Sequence, residues 1–163
     1  MQAVLELFIL SFKIQSLVSF NPSIIKTVMQ YFLVKSEPFK YSWEQFNKDG
    51  RTFWDGVRNY QARNNMKEMK VGDLVLFYHS NEGKDVVGIA KVVKEYYQDP
   101  TTDDERWVVV DLAPVESLKN PVTLETIKND ERLKDISLVR QGRLSVMTLK
   151  TEEFDRIVEL GSK

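Results

Sequence analysis

From residue 31 onward, short apolar runs alternate with polar stretches that carry Gly, Pro or Asn. Tyr31-Phe-Leu-Val-Lys35 is a compact aromatic and β-branched run, which predicts a buried strand. Ser42-Trp-Glu-Gln45 has capping-box spacing: the Ser42 hydroxyl can accept the third helical N–H while Gln45 reaches back. The short helix this opens ends near Gly50. Asn59 to Lys70 holds good helix formers and predicts a second helix. Val71-Gly-Asp73 then turns the chain into an apolar strand over Leu74–His79, and the polar stretch Asn81–Asp85 returns it as a long strand from Val86 to Tyr97.

After a polar, acidic loop over Pro100–Glu105, a further strand is expected from Trp107 to Val115. A short helix capped by Thr123 is expected over Pro121–Lys128. Extended pieces are expected at Ser137–Val139 and Arg143–Leu149, and Thr151 is expected to cap a last helix that ends at Gly161. Strands and short helices without regular βαβ alternation describe an α+β fold, a small mixed barrel with peripheral helices.

Residues 1–28 read differently. Leu5, Phe8, Ile9 and Phe12 fall at helical spacing, but the longest unbroken apolar run is Leu7–Leu10, far short of the roughly 18–20 residues of a membrane span. Glu6 precedes that run and no Lys or Arg does, which fits a secretory signal poorly. Two readings stay open: a docking helix for a partner or a membrane surface, or a dispensable extension upstream of a natural start at Met29. The second is favoured, because the domain pattern over 29–163 starts directly after Met29.

Composition narrows the chemistry. With no Cys among 163 residues, disulfide scaffolds and thiolate chemistry are excluded, and one His leaves at most one imidazole. No GxGxxG, Walker-type loop, HExxH, EF-hand loop or GxSxG elbow is present. The expectation is a binding protein rather than an enzyme, with no cofactor and no metal. A net charge of −1 excludes a protein that coats nucleic acid by bulk electrostatics. The distribution is uneven, however. Residues 35–64 hold six basic and four acidic side chains (+2), residues 132–143 four and one (+3), and residues 95–111 one and six (−5).

One stretch is dense in chemistry: Trp54-Asp-Gly-Val-Arg-Asn-Tyr-Gln-Ala-Arg-Asn64. Read as a helix entrance, it has Asp55 or Asn59 as cap and Arg58 in solvent. Read as a pocket wall, its aromatic rings supply π faces and its Asp and Asn residues supply fixed donors and acceptors, which suits a nucleobase.

Together with Lys35-Ser-Glu-Pro38, Tyr41-Ser-Trp43, Val71-Gly-Asp73, Phe77-Tyr-His-Ser80, Val87-Gly-Ile-Ala90, Arg106-Trp107, Leu138-Val-Arg140 and Arg143-Leu-Ser-Val146, this stretch resembles the EVE domain of the PUA-like superfamily. The resemblance runs over residues 31–160. It implies a twisted PUA-like β-barrel of about five strands with flanking short helices, and a pocket that receives one base extruded from DNA or RNA. A modified cytosine in DNA is favoured. The alternatives are an RNA-binding module and a small hydrolase of modified nucleosides, with Ser36, Glu37, Asp55 and His79 as its polar set. A cytoplasmic monomer (nuclear in a eukaryote) without a membrane partner is expected.

The pocket expected on this basis comprises Ser36, Glu37, Trp43, Trp54, Asp55, Asn59, Tyr60, Tyr78, His79 and Ser145. Trp43 and Trp54 are the candidate stacking walls, with Tyr60 and Tyr78 behind them, and Trp107 is assigned to the core. Lys35, Arg58, Arg63, Arg140 and Arg143 are the expected phosphate contacts, since a guanidinium fork matches phosphate oxygens. His79 has a competing structural role as a hydrogen-bonder at a strand end, and Arg58 one as an internal ion pair.

Overall fold

The computed structural model describes residues 28–163, so the helix expected near the N-terminus lies outside the described residues. The first strand, β1, spans Tyr31–Ser36 and is followed by α1 (Trp43–Asp49), β2 (Thr52–Phe53) and α2 (Tyr60–Glu68). Next come β3 (Leu74–His79), β4 (Asp85–Gln98) and β5 (Val108–Thr123). The chain closes with α3 (Leu124–Asn129), α4 (Ser137–Arg140), β6 (Val146–Leu149) and α5 (Thr151–Gly161).

The strands form one sheet in the order β2-β5-β4-β3-β1-β6. Strands β1 and β3 are parallel, and the other neighbours are antiparallel. The sheet therefore has six strands rather than about five. Its outer strands β2 and β6 do not pair, so it stays open where a closed barrel was expected. Phe32, Leu33 and Val34 of β1 are all fully buried, because this strand is covered on both faces. Each such side chain contributes about 1.5–3 kcal/mol relative to exposure. The core continues through Phe46, Leu76, Phe77, Met147 and Ile157.

Local signals account for most element boundaries. The Ser42 hydroxyl accepts from the Gln45 N–H at 3.1 Å, and Gly50 closes α1 by donating to the Phe46 carbonyl. The reciprocal half of the capping box is not made, because the Gln45 amide goes to Asp49 at 2.6 Å. Asn59 caps α2 by accepting from Ala62 at 2.9 Å. The buried Asp73 accepts from the N–H groups of Gln30 and Lys70 at 2.9 and 2.8 Å, tying the start of β1 to the turn before β3.

Three boundaries differ from the sequence expectation. β5 runs on to Thr123 through Pro114 and Pro121, tolerated because its ladder with β4 is repeatedly interrupted. Thr123 still caps a helix, but that helix begins at Leu124. Ser137–Arg140 is a single helical turn rather than an extended piece, with the Val139 and Arg140 N–H groups donating to the Ile136 carbonyl and the Gln141 N–H to that of Ser137. At α5 the cap residue is Lys150, whose N–H donates to Glu153 at 2.9 Å, and Thr151 is the first helical residue.

Candidate functional site

The parallel strands β1 and β3 end side by side at Ser36 and His79, and a cleft of about 600 Å³ opens beyond them. One side is the end of β1 with the turn that follows it: Lys35, Ser36, Glu37, Lys40 and Tyr41. The opposite wall is the segment from Thr52 to Val57, with Ser80 and Asn81 after β3 and Gly142, Arg143 and Ser145 before β6 completing the rim. Such a volume lies within the range of about 300–1,000 Å³ usual for small-ligand sites.

Hydrogen bonds hold the walls. The Lys35 N–H donates to the Ser145 carbonyl at 2.9 Å, and Ser80 N–H to the Ser36 carbonyl at 2.8 Å. The Ser36 hydroxyl donates to the Tyr41 carbonyl at 2.6 Å, bracing the intervening turn. Gly56 sits in the far wall at φ +72°, a conformation that a residue with a Cβ adopts with strain.

Polar and apolar surface alternate around the cleft. Trp54 lines it while packing edge-on against Phe77 and Tyr41, with ring centroids 5.6 and 6.5 Å away. Phe53 lines it with 42% of its surface exposed. The Tyr41 hydroxyl donates to Asp49 at 2.8 Å; burial and this neighbouring carboxylate push its pKa up to about 12. Lys35 donates from its ammonium to the Gly142 carbonyl at 3.0 Å, and burial lowers its pKa below the ordinary lysine value. Glu37 is paired with Lys40 at 3.2 Å. Asp55 and Arg143 carry no ion pair among the described residues.

Of the expected site residues, the cleft brings together Lys35, Ser36, Glu37, Trp54, Asp55, Arg143 and Ser145. The others lie elsewhere, for identifiable reasons. Trp43 is 7% exposed and packs on Phe46 and Phe77, while its Nε1–H donates to Ser117 at 2.8 Å. It is a scaffold residue, not a cleft wall. Tyr78 is buried behind Lys35, whose ammonium lies 5.9 Å from its ring centroid; burial, reinforced by the Asp85 charge, pushes its hydroxyl up to about 12.

His79 takes its structural role. Its Nε2 accepts the Trp43 N–H at 3.2 Å and its Nδ1 lies 3.6 Å from Asp85. The imidazole is thus neutral with its proton on Nδ1. Burial lowers its pKa, with Asp85 opposing in part.

The dense motif divides in two. Trp54–Val57 forms the cleft wall, whereas Arg58–Arg63 builds a separate aromatic and cationic cluster. Tyr60 stacks on Trp107 at 5.3 Å, Arg63 lies over Tyr60 at 4.9 Å, and Arg58 over Trp107 at 5.6 Å. Arg58 also donates to the buried Asp99 at 2.8 Å. Burial alone would raise the Asp99 pKa, but the Thr101 hydroxyl and N–H and the Arg58 guanidinium outweigh it and hold the group ionised. Asn59 is committed to capping α2, and Arg140 pairs with Asp135. These residues do not line the cleft.

Tyr41, Phe53 and Lys40 are among the lining residues not singled out from sequence, with Thr52, Gly56, Val57, Ser80, Asn81 and Gly142. Tyr41 belongs to a motif that carries the family resemblance, so its signal was present. Nothing in the composition around Phe53 marks it.

The fold and cleft define an EVE-domain protein: the EVE domain family matches residues 30–160, and the chain belongs to that family. It is similar to thymocyte nuclear protein 1 of Mus musculus, 37% identical over 169 residues that cover 83% of this chain and 75% of the mouse protein. Among solved structures, a protein of Agrobacterium tumefaciens superposes with a TM-score of 0.80 at 47% identity, covering 81% of this chain and 92% of its own. The human THYN1 protein, solved in complex with 5-methylcytosine-containing DNA, has a TM-score of 0.77 at 33% identity, covering 82% and 98% of the two chains. An ASCH protein of Zymomonas mobilis, at 13% identity and a TM-score of 0.51, shares the fold.

Proposed function

We propose that this protein binds DNA and reads it by taking one modified base, 5-methylcytosine or a close analogue, into the cleft at the ends of β1 and β3. The observation that carries this reading is the meeting of Trp54, Tyr41 and Phe53 with Lys35, Asp55 and Arg143 around a single opening. Extracting a base costs a few kcal/mol of unpairing and unstacking. An aromatic contact returns about 1–3 kcal/mol per base, so the apolar walls are of the right magnitude to offset it. Asp55, without an ion pair among the described residues, offers its carboxylate to an exocyclic amino group, and Arg143, likewise unpaired among them, its guanidinium to a phosphate. The human relative's complex with 5-methylcytosine DNA supports the same ligand class here.

Recognition proceeds without turnover. The one imidazole of the chain is bound into the scaffold by Trp43 and faces Asp85, and it is not among the cleft-lining residues, which offer carboxylates, cations, hydroxyls and an amide. A monomer in the cytoplasm, or in the nucleus of a eukaryote, meets the requirement for access to nucleic acid.

The test is fluorescence anisotropy on matched oligonucleotides carrying cytosine or one 5-methylcytosine, as DNA and as RNA. Tighter binding to methylated DNA is expected. Equal affinity for methylated and unmethylated strands would overturn the reading, and stronger binding of the RNA set would transfer it to RNA.

A further inference from the structure

Phe39 is the most exposed aromatic ring among the described residues, at 67%, and it belongs to no part of the core. It stands on the turn from Glu37 to Tyr41, so lining residues of the cleft flank it on both sides. The turn is stiff. Both the Lys40 and Tyr41 N–H groups donate to the Glu37 carbonyl, at 2.9 and 3.0 Å, the Ser36 hydroxyl holds the Tyr41 carbonyl, and Pro38 restricts the backbone directly before the ring. The Lys40 ammonium lies 5.6 Å from the centroid of Phe39. A rigid turn thus presents an unpacked apolar ring, with a cation beside it, at the mouth of the candidate site.

A base drawn out of a duplex leaves a gap between its two former stacking neighbours. Apolar side chains inserted at such unstacked steps are a general device of DNA-binding proteins. We propose that Phe39 is the wedge that fills this gap, stacking on a base that stays in the helix while Lys40 meets a neighbouring phosphate. The proposal rests on the base-capture reading above. It assigns to the turn a task separate from the cleft: the cleft holds the captured base, and Phe39 keeps the duplex from closing behind it.

That separation gives the test. A gap exists only in a duplex, so the wedge contributes nothing on a single strand. Wild-type protein, Phe39→Ala and Phe39→Trp are compared on a short DNA duplex with one 5-methylcytosine and on the methylated strand alone. Phe39→Ala should lose at least about fivefold in duplex affinity, the lower end of a stacking contact, while its single-strand affinity stays unchanged. Phe39→Trp should keep duplex binding. Because the ring is no part of the core, the unfolding midpoint of Phe39→Ala should match the wild type. Equal loss on both forms, or no loss on either, overturns the wedge while leaving base capture standing. Wild-type protein that ignores the methyl group on both forms overturns base capture itself, and the wedge with it; that failure shows before any variant is made.

Discussion

The indole of Trp43 occupies the space that a side chain on Gly88 would need: a Cβ there would stand 2.1 Å from Cζ2 of Trp43. This contact seats the first residue of α1 on β4, while the indole N–H reaches Ser117 on β5 and the backbone N–H reaches His79 on β3. One residue thereby anchors the helix that follows the cleft turn to three strands. Gly88→Ala should therefore destabilise the protein by about 1–3 kcal/mol, the usual cost of overpacking. The urea midpoint measures this. In a Trp43→Leu background the added methyl should cost clearly less, because the two sites share one space.

Stability should fall on mild acidification, through His79. Burial lowers its folded pKa below the ordinary value of 6.5, so the unfolded chain takes up a proton more readily than the folded one. The contribution of the neutral ring is complete above the unfolded pKa and is lost as pH drops through the folded value. Protonation at Nε2 would also destroy the acceptor for the Trp43 N–H. Urea midpoints should decline as pH falls below the ordinary imidazole value of about 6.5, before the carboxylate range is reached. His79→Gln, which keeps an acceptor but does not titrate, should flatten that decline.

Trp54→Ala is expected to unsettle the fold as well as the cleft. Trp54 is only 8% exposed and packs on Phe77 and Tyr41, so truncation should cost about 3–5 kcal/mol. Phe53→Ala separates the effects, since Phe53 lines the cleft from the short edge strand and is 42% exposed. It should leave the unfolding midpoint within about 0.5 kcal/mol of wild type while weakening binding of a methylated oligonucleotide. Unchanged binding by Phe53→Ala would remove it from the cleft's apolar wall.

Two arginines should respond differently. Arg143→Ala should weaken binding to all sequences alike and reduce the salt slope by about 1, the signature of one lost phosphate contact. Arg58→Ala should leave that slope unchanged and lower stability by about 1–3 kcal/mol, as it deprives the buried Asp99 of a charged donor. The cost stays below that of a fully buried pair because Arg58 is 41% exposed. Anisotropy titrations over a salt series, beside urea unfolding, distinguish the two.

Features governed by neighbours along the chain were legible in the sequence. The apolar runs of β1 and β3, the Ser42 cap, the Asn59 cap and the turn at Asp73 follow from local sterics and hydrogen bonding. The end of β5 was not legible, because only pairing with β4 decides that Pro121 and Val122 remain strand. Nor was the turn at Ser137–Arg140, four residues too few to show a period.

Sequence alone determined the strand-rich α+β character, the family, the motif that supplies the cleft wall, and the presence of a single imidazole without any thiol. Tertiary structure alone decided which residues of that motif face the cleft. Trp43 and Trp54 carry the same side chain in motifs of the same family and are equally buried, but a glycine forty-five residues on receives the first, while the second lines the cleft at the ends of two parallel strands. Arg58 and Arg143 are equally cationic in sequence, and a buried Asp99 claims only one of them. The reason is physical: residue type and spacing set what a side chain is able to do, whereas burial and the partners brought from distant strands set what it is free to do.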